Sequence, residues 1–235
     1  MSIQLGPKLT TDNLSLYLDV ANSRSFVNTT NGWADLTRKR QTLSLSGATY
    51  NPNNAGVLTF DGNLGSSASN NENIFSTNSR TFDVWFNRQE SVSPYNIVWG
   101  YYVPYLGFRP NGEFHFSYYT NNGSNSQKSL YSGVTFSNNT WYNVTCTVEY
   151  NLVATTANAK IYVNGFLINT QTWPAGTMTQ PLTSSVNNYL IMGNWYFNNP
   201  YPFKGDISNF RIYERILTDE EIYKNYLTMK ARFET

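Results

Sequence analysis

Apolar and polar residues alternate along most of this chain with the two-residue period that sends successive side chains to opposite faces of a β-sheet. Leu14, Leu16 and Leu18 stand against Ser15, Tyr17 and Asp19. Phe82, Val84 and Phe86 share one face of the segment 81–87, and Asp83, Trp85 and Asn87 share the other. In TWYNVTCTVEY, Tyr142, Val144, Cys146, Val148 and Tyr150 have one parity, which places the cysteine in the core as a small apolar residue. Shorter apolar runs at 57–60 and 189–192 stop at Asp61-Gly62 and at Gly193. Segments 105–108 and 113–119 flank Arg109-Pro110-Asn111-Gly112, and segments 160–163 and 166–169 flank Asn164-Gly165. In both places Asn-Gly is expected to supply the positive φ angles of a tight hairpin turn. Helical spacing is clear only near the end, where Thr218-Asp219-Glu220-Glu221 has the form of a capping box. Ile222, Tyr223, Tyr226 and Leu227 follow it as the expected apolar face.

Many short strands with closely spaced turns predict an all-β sandwich or barrel. No charged linker or internal repeat interrupts the 235 residues, so the chain reads as one domain, 1–235, with its core roughly over 10–228. Charge narrows the partners. With 13 % charged residues and a formal net charge of +1, the chain lacks the basic face that a nucleic-acid binder needs. No apolar run approaches the ~18 residues of a membrane span, and residues 1–10 do not form a secretory signal. Membrane insertion is therefore not expected, and synthesis in a cytoplasm is. Cys146 is alone, which excludes an intramolecular disulfide, and His115 has no evident partner for a zinc site or an activated thiol.

Aromatic residues, at 16 % of the chain, carry the candidate chemistry. Tyr101 and Tyr102 lie in WGYYVPY, Tyr118 and Tyr119 in SYYTNNG, and Trp195, Tyr196, Asn198 and Tyr201 in NWYFNNPY. Sugar rings pack their C–H faces on aromatic faces and offer hydroxyls to amides, so rings beside Asn suit a glycan. Strand parity equally allows these rings to fill the core or meet a neighbouring subunit, and both uses stay open. Carboxylates give little support for hydrolysis, which needs a facing pair. Asp219, Glu220 and Glu221 belong to the helix start, where negative charge is favourable, and Glu113 and Glu149 stand apart. For Ca²⁺, the weak candidates are Asp61 and Asp206, each beside a turn. Turn formation and backbone bonding are the favoured roles of both, and no cofactor or metal is expected.

The closing segment 189–226 contains a strand, an Asn-rich aromatic loop, the F-x-G-x-I strand Phe203-Lys204-Gly205-Asp206-Ile207 and the capped helix. It resembles the end of the laminin-G-like, concanavalin A-like jelly-roll family. Other motifs follow in family order over roughly residues 6–230. GPKLTTDNLSLYLDVANSRSF with Gly32-Trp33-Ala34-Asp35-Leu36 is similar to the opening of such domains in tailed-phage structural proteins. Thr81-Phe82-Asp83-Val84-Trp85-Phe86 resembles the F-t-x-x-x-W strand, Thr140-Trp141-Tyr142-Asn143-Val144 the W-x-x-V strand, and Tyr162-Val163-Asn164-Gly165 the Y-V-N-G hairpin. The resemblance implies a jelly-roll β-sandwich with a short C-terminal helix. It further implies a non-catalytic virion structural protein, a capsid decoration or a tail or fibre component, assembled in a bacterial cytoplasm. Its expected partners are other virion proteins and copies of itself. The alternative is an adhesin that attaches the particle to host surface glycan, and the third reading is a glycosidase-like enzyme.

Overall fold

The computed structural model describes residues 7–28, 31–63, 67–70, 79–90, 95–100, 104–119, 127–151, 153–174, 190–194 and 201–234. Strands come first in the chain and the helix last. They are β1 (Leu14–Asp19), β2 (Gly32–Ala34), β3 (Thr42–Ser46), β4 (Thr49–Asn51), β5 (Val57–Asp61) and β6 (Ser67–Asn70). Next come β7 (Arg80–Arg88), β8 (Asn96–Gly100), β9 (Tyr105–Phe108), β10 (Glu113–Tyr119) and β11 (Gln127–Thr135). The chain continues through β12 (Trp141–Asn151), β13 (Thr156–Val163), β14 (Phe166–Trp173), β15 (Leu190–Met192) and β16 (Lys204–Tyr213), and ends in helix α1 (Asp219–Lys230).

Two antiparallel sheets stack as a sandwich. The first runs β14-β13-β12-β7-β16-β5-β4, with β1 paired to the later part of β16, and the second runs β11-β10-β9-β8-β15-β6-β3-β2. Alternation sends the large rings of both sheets inward. Phe82 meets Trp99 at 4.9 Å and Phe116 at 5.7 Å between ring centres. Phe86 lies 5.4 Å from Phe108 and 6.0 Å from Phe114, and Trp99 is 5.2 Å from Phe210. Cys146 is fully buried in this core, as its parity indicates.

The hairpin turns divide into two kinds. Asn164 (φ 52°) and Gly165 (φ 81°) both adopt the left-handed conformation, as expected of a two-residue turn. In the other hairpin only Gly112 (φ 78°) does so, and Asn111 does not. Pro110 fixes its own φ near the value a type I turn wants, the Gly112 N–H donates to the Arg109 carbonyl at 2.9 Å, and one left-handed residue suffices to rejoin the strands.

The outer face of the first sheet is covered by α1. Thr218 accepts a hydrogen bond from the Glu221 N–H, and the Glu221 carboxylate accepts one from the Thr218 N–H, which completes the capping box. Arg215 holds the same carboxylate through two contacts of 2.6 and 2.7 Å. The buried face of the helix is Ile222, Asn225, Tyr226 and Met229, whereas Tyr223 and Leu227, expected inside, are exposed. The rotation follows from what the helix covers. Asn225 accepts from the Thr10 N–H at 2.8 Å and donates to the Tyr213 hydroxyl at 3.0 Å, while Tyr226 stacks on Trp85 at 5.6 Å. Phe233, beyond the helix, closes over Trp85 at 4.2 Å.

Beside this apolar contact the same sheet face buries an ion pair. Arg211 on β16 donates to Asp83 on β7 from Nη2 at 2.5 Å and from Nε at 3.1 Å, with both side chains fully buried. Asp83 also accepts from Thr145 at 2.8 Å and from Asn143 at 3.3 Å. Burial disfavours the charged guanidinium, but the Asp83 carboxylate outweighs it and holds the Arg211 pKa above the usual arginine range. An orphaned charge is the expensive case for such a pair. Arg211→Met should therefore lower stability by about 3–5 kcal/mol, read as a lower urea midpoint. Asp83→Leu combined with Arg211→Met should recover part of that loss, and no recovery would assign the cost to packing instead of charge.

Candidate functional site

The second sheet turns its outer face away from the core, and there the side chains of opposite parity meet. Phe114, Phe116 and Tyr118 on β10 are buried in the core cluster, so His115 and Ser117 between them face outward. The registers set His115 across from Gly107 on β9 and Tyr131 on β11, and Ser117 across from Tyr105 and Ser129. Ile97 packs over Gly107: a Cβ there would lie 2.6 Å from Ile97 Cδ1 and 2.7 Å from the Asn96 carbonyl oxygen, so the position must stay bare, and Ile97 forms part of the pocket lining. The result is a cavity of about 310 Å³, within the range of small-molecule sites.

Its walls are tyrosines. Tyr105 meets the His115 ring edge-on at 5.1 Å, Tyr95 does so at 6.1 Å, and Tyr131 lies tilted at 6.1 Å. Tyr201 extends this wall, edge-on to Tyr95 at 5.2 Å, and its carbonyl accepts from the Ile97 N–H at 3.1 Å. Arg109 lies over the Tyr131 ring at 4.7 Å, a cation–π contact, and pairs with Glu113 at 3.2 Å. The other Glu113 oxygen accepts from the Gly133 N–H at 3.0 Å. Ser129 shares a hydrogen bond with Ser117, Oγ to Oγ, at 2.6 Å.

His115 is the buried polar group of this site, 3 % exposed. Burial is the main reason its pKa falls to about 4, the Arg109 charge adds to that, and a hydrogen bond with the Gly107 backbone offsets it in part. The imidazole is therefore neutral near pH 7. Among the described residues its Nδ1 has no hydrogen-bond partner, and the atom is itself closed off from the cavity. The cavity thus offers aromatic faces, hydroxyls and a charge-balanced Arg–Glu pair.

Of the residues proposed from sequence, the pocket includes Tyr201. Tyr118 is corrected: it is fully buried, edge-on to Trp173 at 5.2 Å and to Tyr150 at 6.1 Å, because its parity is that of Phe116. It is a core side chain and not a surface contact. Tyr101, Tyr102, Trp195, Tyr196 and Asn198 lie outside the described residues, as does the side chain of Tyr119. Asp61 accepts from the Asn63 N–H at 2.9 Å and from its side-chain amide at 2.7 Å, closing a local turn. Asp206 accepts from Thr59 across the β5–β16 pair at 2.5 Å. Among the described residues no group of three or more His, Cys, Asp or Glu side chains could hold a metal ion. Tyr95, Tyr105, Arg109, Ser129 and Tyr131 went unnoticed as a set, although the alternation F-H-F-S-Y with the hairpin register already places His115 opposite Gly107 on the outward side.

The buried imidazole has a thermodynamic consequence. The unfolded chain takes up a proton on His115 near pH 6.5, whereas the folded chain does so only near pH 4. The stability this group contributes is thus complete above pH 6.5, declines as pH falls toward 4, and changes no further below that. Between pH 7 and pH 5 the decline should be about 2 kcal/mol. Urea unfolding of the parent chain and of His115→Phe at the two pH values measures it by difference. An equal pH dependence in both proteins would show that His115 does not titrate as its burial requires.

The fold can be compared with known proteins on this basis. Residues 60–223 match the profile of a laminin-G-like family described as the concanavalin A-like lectin/glucanases superfamily. A comparison with curated protein sequences finds no match. Among solved structures, domain 4 of AbnA, a GH43 extracellular arabinanase from Geobacillus stearothermophilus in complex with arabinotriose, is 15 % identical with a TM-score of 0.67, over 92 % of this chain and 100 % of that one. The binding domain of Paraclostridial mosquitocidal protein 1 is 18 % identical with a TM-score of 0.66, over 91 % of this chain and 52 % of that one. The botulinum neurotoxin type G receptor binding domain is 15 % identical with a TM-score of 0.63, over 92 % and 51 %. The chain thus spans about half the length of the toxin binding domains and all of the arabinanase domain. Two stacked antiparallel sheets, the capped C-terminal helix and a profile match over most of the chain lead to one assignment: the chain belongs to the laminin-G-like family of the concanavalin A-like lectin/glucanases superfamily.

Proposed function

We propose that this chain is a non-catalytic binding module that holds a saccharide in the tyrosine-walled pocket of its second sheet. The observation that carries the reading is the arrangement itself: Tyr95, Tyr105 and Tyr131 surround a neutral imidazole, on a sheet face directed away from the core. Aromatic faces accept the C–H side of a sugar, and the surrounding hydroxyls and Arg109 serve its oxygens. The arabinanase domain of similar fold, solved with arabinotriose, supports the same use of the scaffold. Hydrolysis would need two facing carboxyls, whereas the described lining is Tyr, His, Arg, Ser and Ile, and Glu113 is engaged by Arg109 and Gly133. The setting we propose is a phage particle bearing the module as a host-glycan adhesin. The resemblance of residues 6–36 to tailed-phage structural proteins supports that setting.

On an array of bacterial surface glycans the folded chain should give a saturable signal. Tyr131→Ala and Tyr201→Ala should each weaken it about tenfold or more, with thermal unfolding little changed. A specific signal indifferent to both substitutions would place the ligand elsewhere on the molecule.

One observation favours a second reading, contact between copies of this chain on the particle. β14 ends the first sheet, its sequence FLINTQTW carries no charge, and Phe166, Leu167 and Ile168 are exposed. Phe166 sits against the exposed Tyr223 at 5.3 Å. Uncharged edge strands readily pair with another chain. Sedimentation equilibrium should show dimers or larger species that Phe166→Asp converts to monomers, and a parent chain monomeric at high concentration would dismiss this contact.

A further inference from the structure

We propose that Glu113 sets the charge class of the ligand: it fixes Arg109 at the pocket wall and offsets its charge, so that neutral sugars are taken in preference to acidic ones. The inference rests on the saccharide reading above and gives that site its selectivity. It begins from an asymmetry within one ion pair. The Arg109 side chain is 40 % exposed and lines the cavity, whereas that of Glu113 is 16 % exposed and is not among the described lining residues. A ligand seated there meets the cation directly and the carboxylate only through its field. Arg109 is also the one cation among the described lining residues near pH 7, where His115 is neutral.

The carboxylate is held by a bulge. From Glu113 to His115 β10 advances two positions, while its partner β11 runs four, from Thr135 to Tyr131. In the surplus segment Gly133 takes φ 72°, and Ser132 Oγ donates to the Val134 carbonyl at 2.9 Å. Bulges re-aim groups beside functional sites. This one sets the Gly133 N–H 3.0 Å from Glu113 Oε1, and Oε2 then accepts from Arg109 Nη1 at 3.2 Å. Arg109 is thus fixed from two sides, by Glu113 and by the Tyr131 ring 4.7 Å from its guanidinium carbon. Glu113 engages one edge of the guanidinium fork, and the fork has further N–H donors for the oxygens of a ligand. Opposite charges 3.2 Å apart act on a third group as a dipole more than as a cation. A sugar hydroxyl loses little by this, because it needs only a donor. A sugar carboxylate loses much of its attraction and still gives up its water on entering. The balance favours the neutral sugar.

Matched probes isolate the charge. The methyl glycosides of glucose, galactose and mannose differ from those of the corresponding uronic acids only in the oxidation of C6. Titrate the full chain with each at pH 7 and low ionic strength, following the Tyr105 and Tyr131 ring protons. In the parent chain at least one neutral probe should bind, and its uronate should bind no more tightly. In Glu113→Gln and in Glu113→Ala, with amide spectra retained, the ratio of uronate to neutral affinity should rise about tenfold or more. Added salt should shrink that rise. Arg109→Gln combined with Glu113→Gln should abolish it, because no cation is then left to uncover. A ratio indifferent to both Glu113 variants would keep the saccharide reading and remove Glu113 as the selector. A parent chain that prefers the uronate would overturn the inference in the same way. A rise that survives the loss of Arg109 would show that Glu113 does not act through it. If no probe moves either ring, the saccharide reading falls and this inference falls with it.

Discussion

Rings from two sheets interlock at the centre of this molecule, and that contact decides where everything else must point. Phe82 and Phe86 on β7 meet Trp99, Phe108, Phe114 and Phe116 of the opposite sheet. Side chains alternate along a strand, so turning Phe114 and Phe116 inward leaves His115 and Ser117 no other direction than outward. A one-residue slip of β10 would bury the imidazole in the core and expose two phenylalanines. The hairpin at Pro110–Gly112 protects against that slip, because its glycine and the backbone bond from Arg109 N–H to the Glu113 carbonyl fix which residues of β9 and β10 face each other. Core packing thereby sets the geometry of a pocket that shares none of its atoms.

The two outer faces solve opposite problems. On the first sheet, Asp83 and Arg211 are polar residues of a strand's second face, and the fold buries both completely, with Arg211, Thr145 and Asn143 all bonding the Asp83 carboxylate. The capping box, Asn225 and the stack of Phe233 on Trp85 hold the C-terminal segment in place. On the second sheet the rings of Tyr105 and Tyr131 stand around a neutral imidazole and wall an open cavity. The same chain thus shows one sheet face covered by its own C-terminal segment and one aromatic face left open.

Much of this fold could be read from local rules. Alternation in 14–20 and 81–87, the parity of Cys146, the Asn164-Gly165 turn and the Thr218–Glu221 box each depend on neighbours in sequence, and each stands in the structure. What escaped depends on distant partners. The helix face departs from its sequence pattern because Asn225 looks polar in sequence and is buried only through Thr10 and Tyr213, 215 and 12 positions away. Tyr118 looked like a surface ring because it is followed by amides, whereas the parity it shares with Phe116 sends it under Trp173. The pocket was hardest, since its walls come from the edge of β8, from β9, β10 and β11, and from the segment before β16. Only the register brings Tyr95, His115 and Tyr201 together, and a single His flanked by phenylalanines gives no local sign that it will stand beside a tyrosine from another strand.

Placement on strands also explains why such a pocket can work without moving parts. Tyrosine has few rotatable bonds, and rings already packed edge-on at 5 to 6 Å lose little freedom when a ligand arrives. Burial keeps His115 neutral near pH 7, so no proton needs to be rearranged on binding there. Arg109 is already tied to Glu113 and laid on Tyr131, which holds its guanidinium in place at the cavity wall. Each of these arrangements lowers the cost of ordering that otherwise consumes the modest affinity of a small polar ligand. The aromatic core that fixes the strands therefore does the work a closing loop does elsewhere: it makes the binding geometry present before the ligand is.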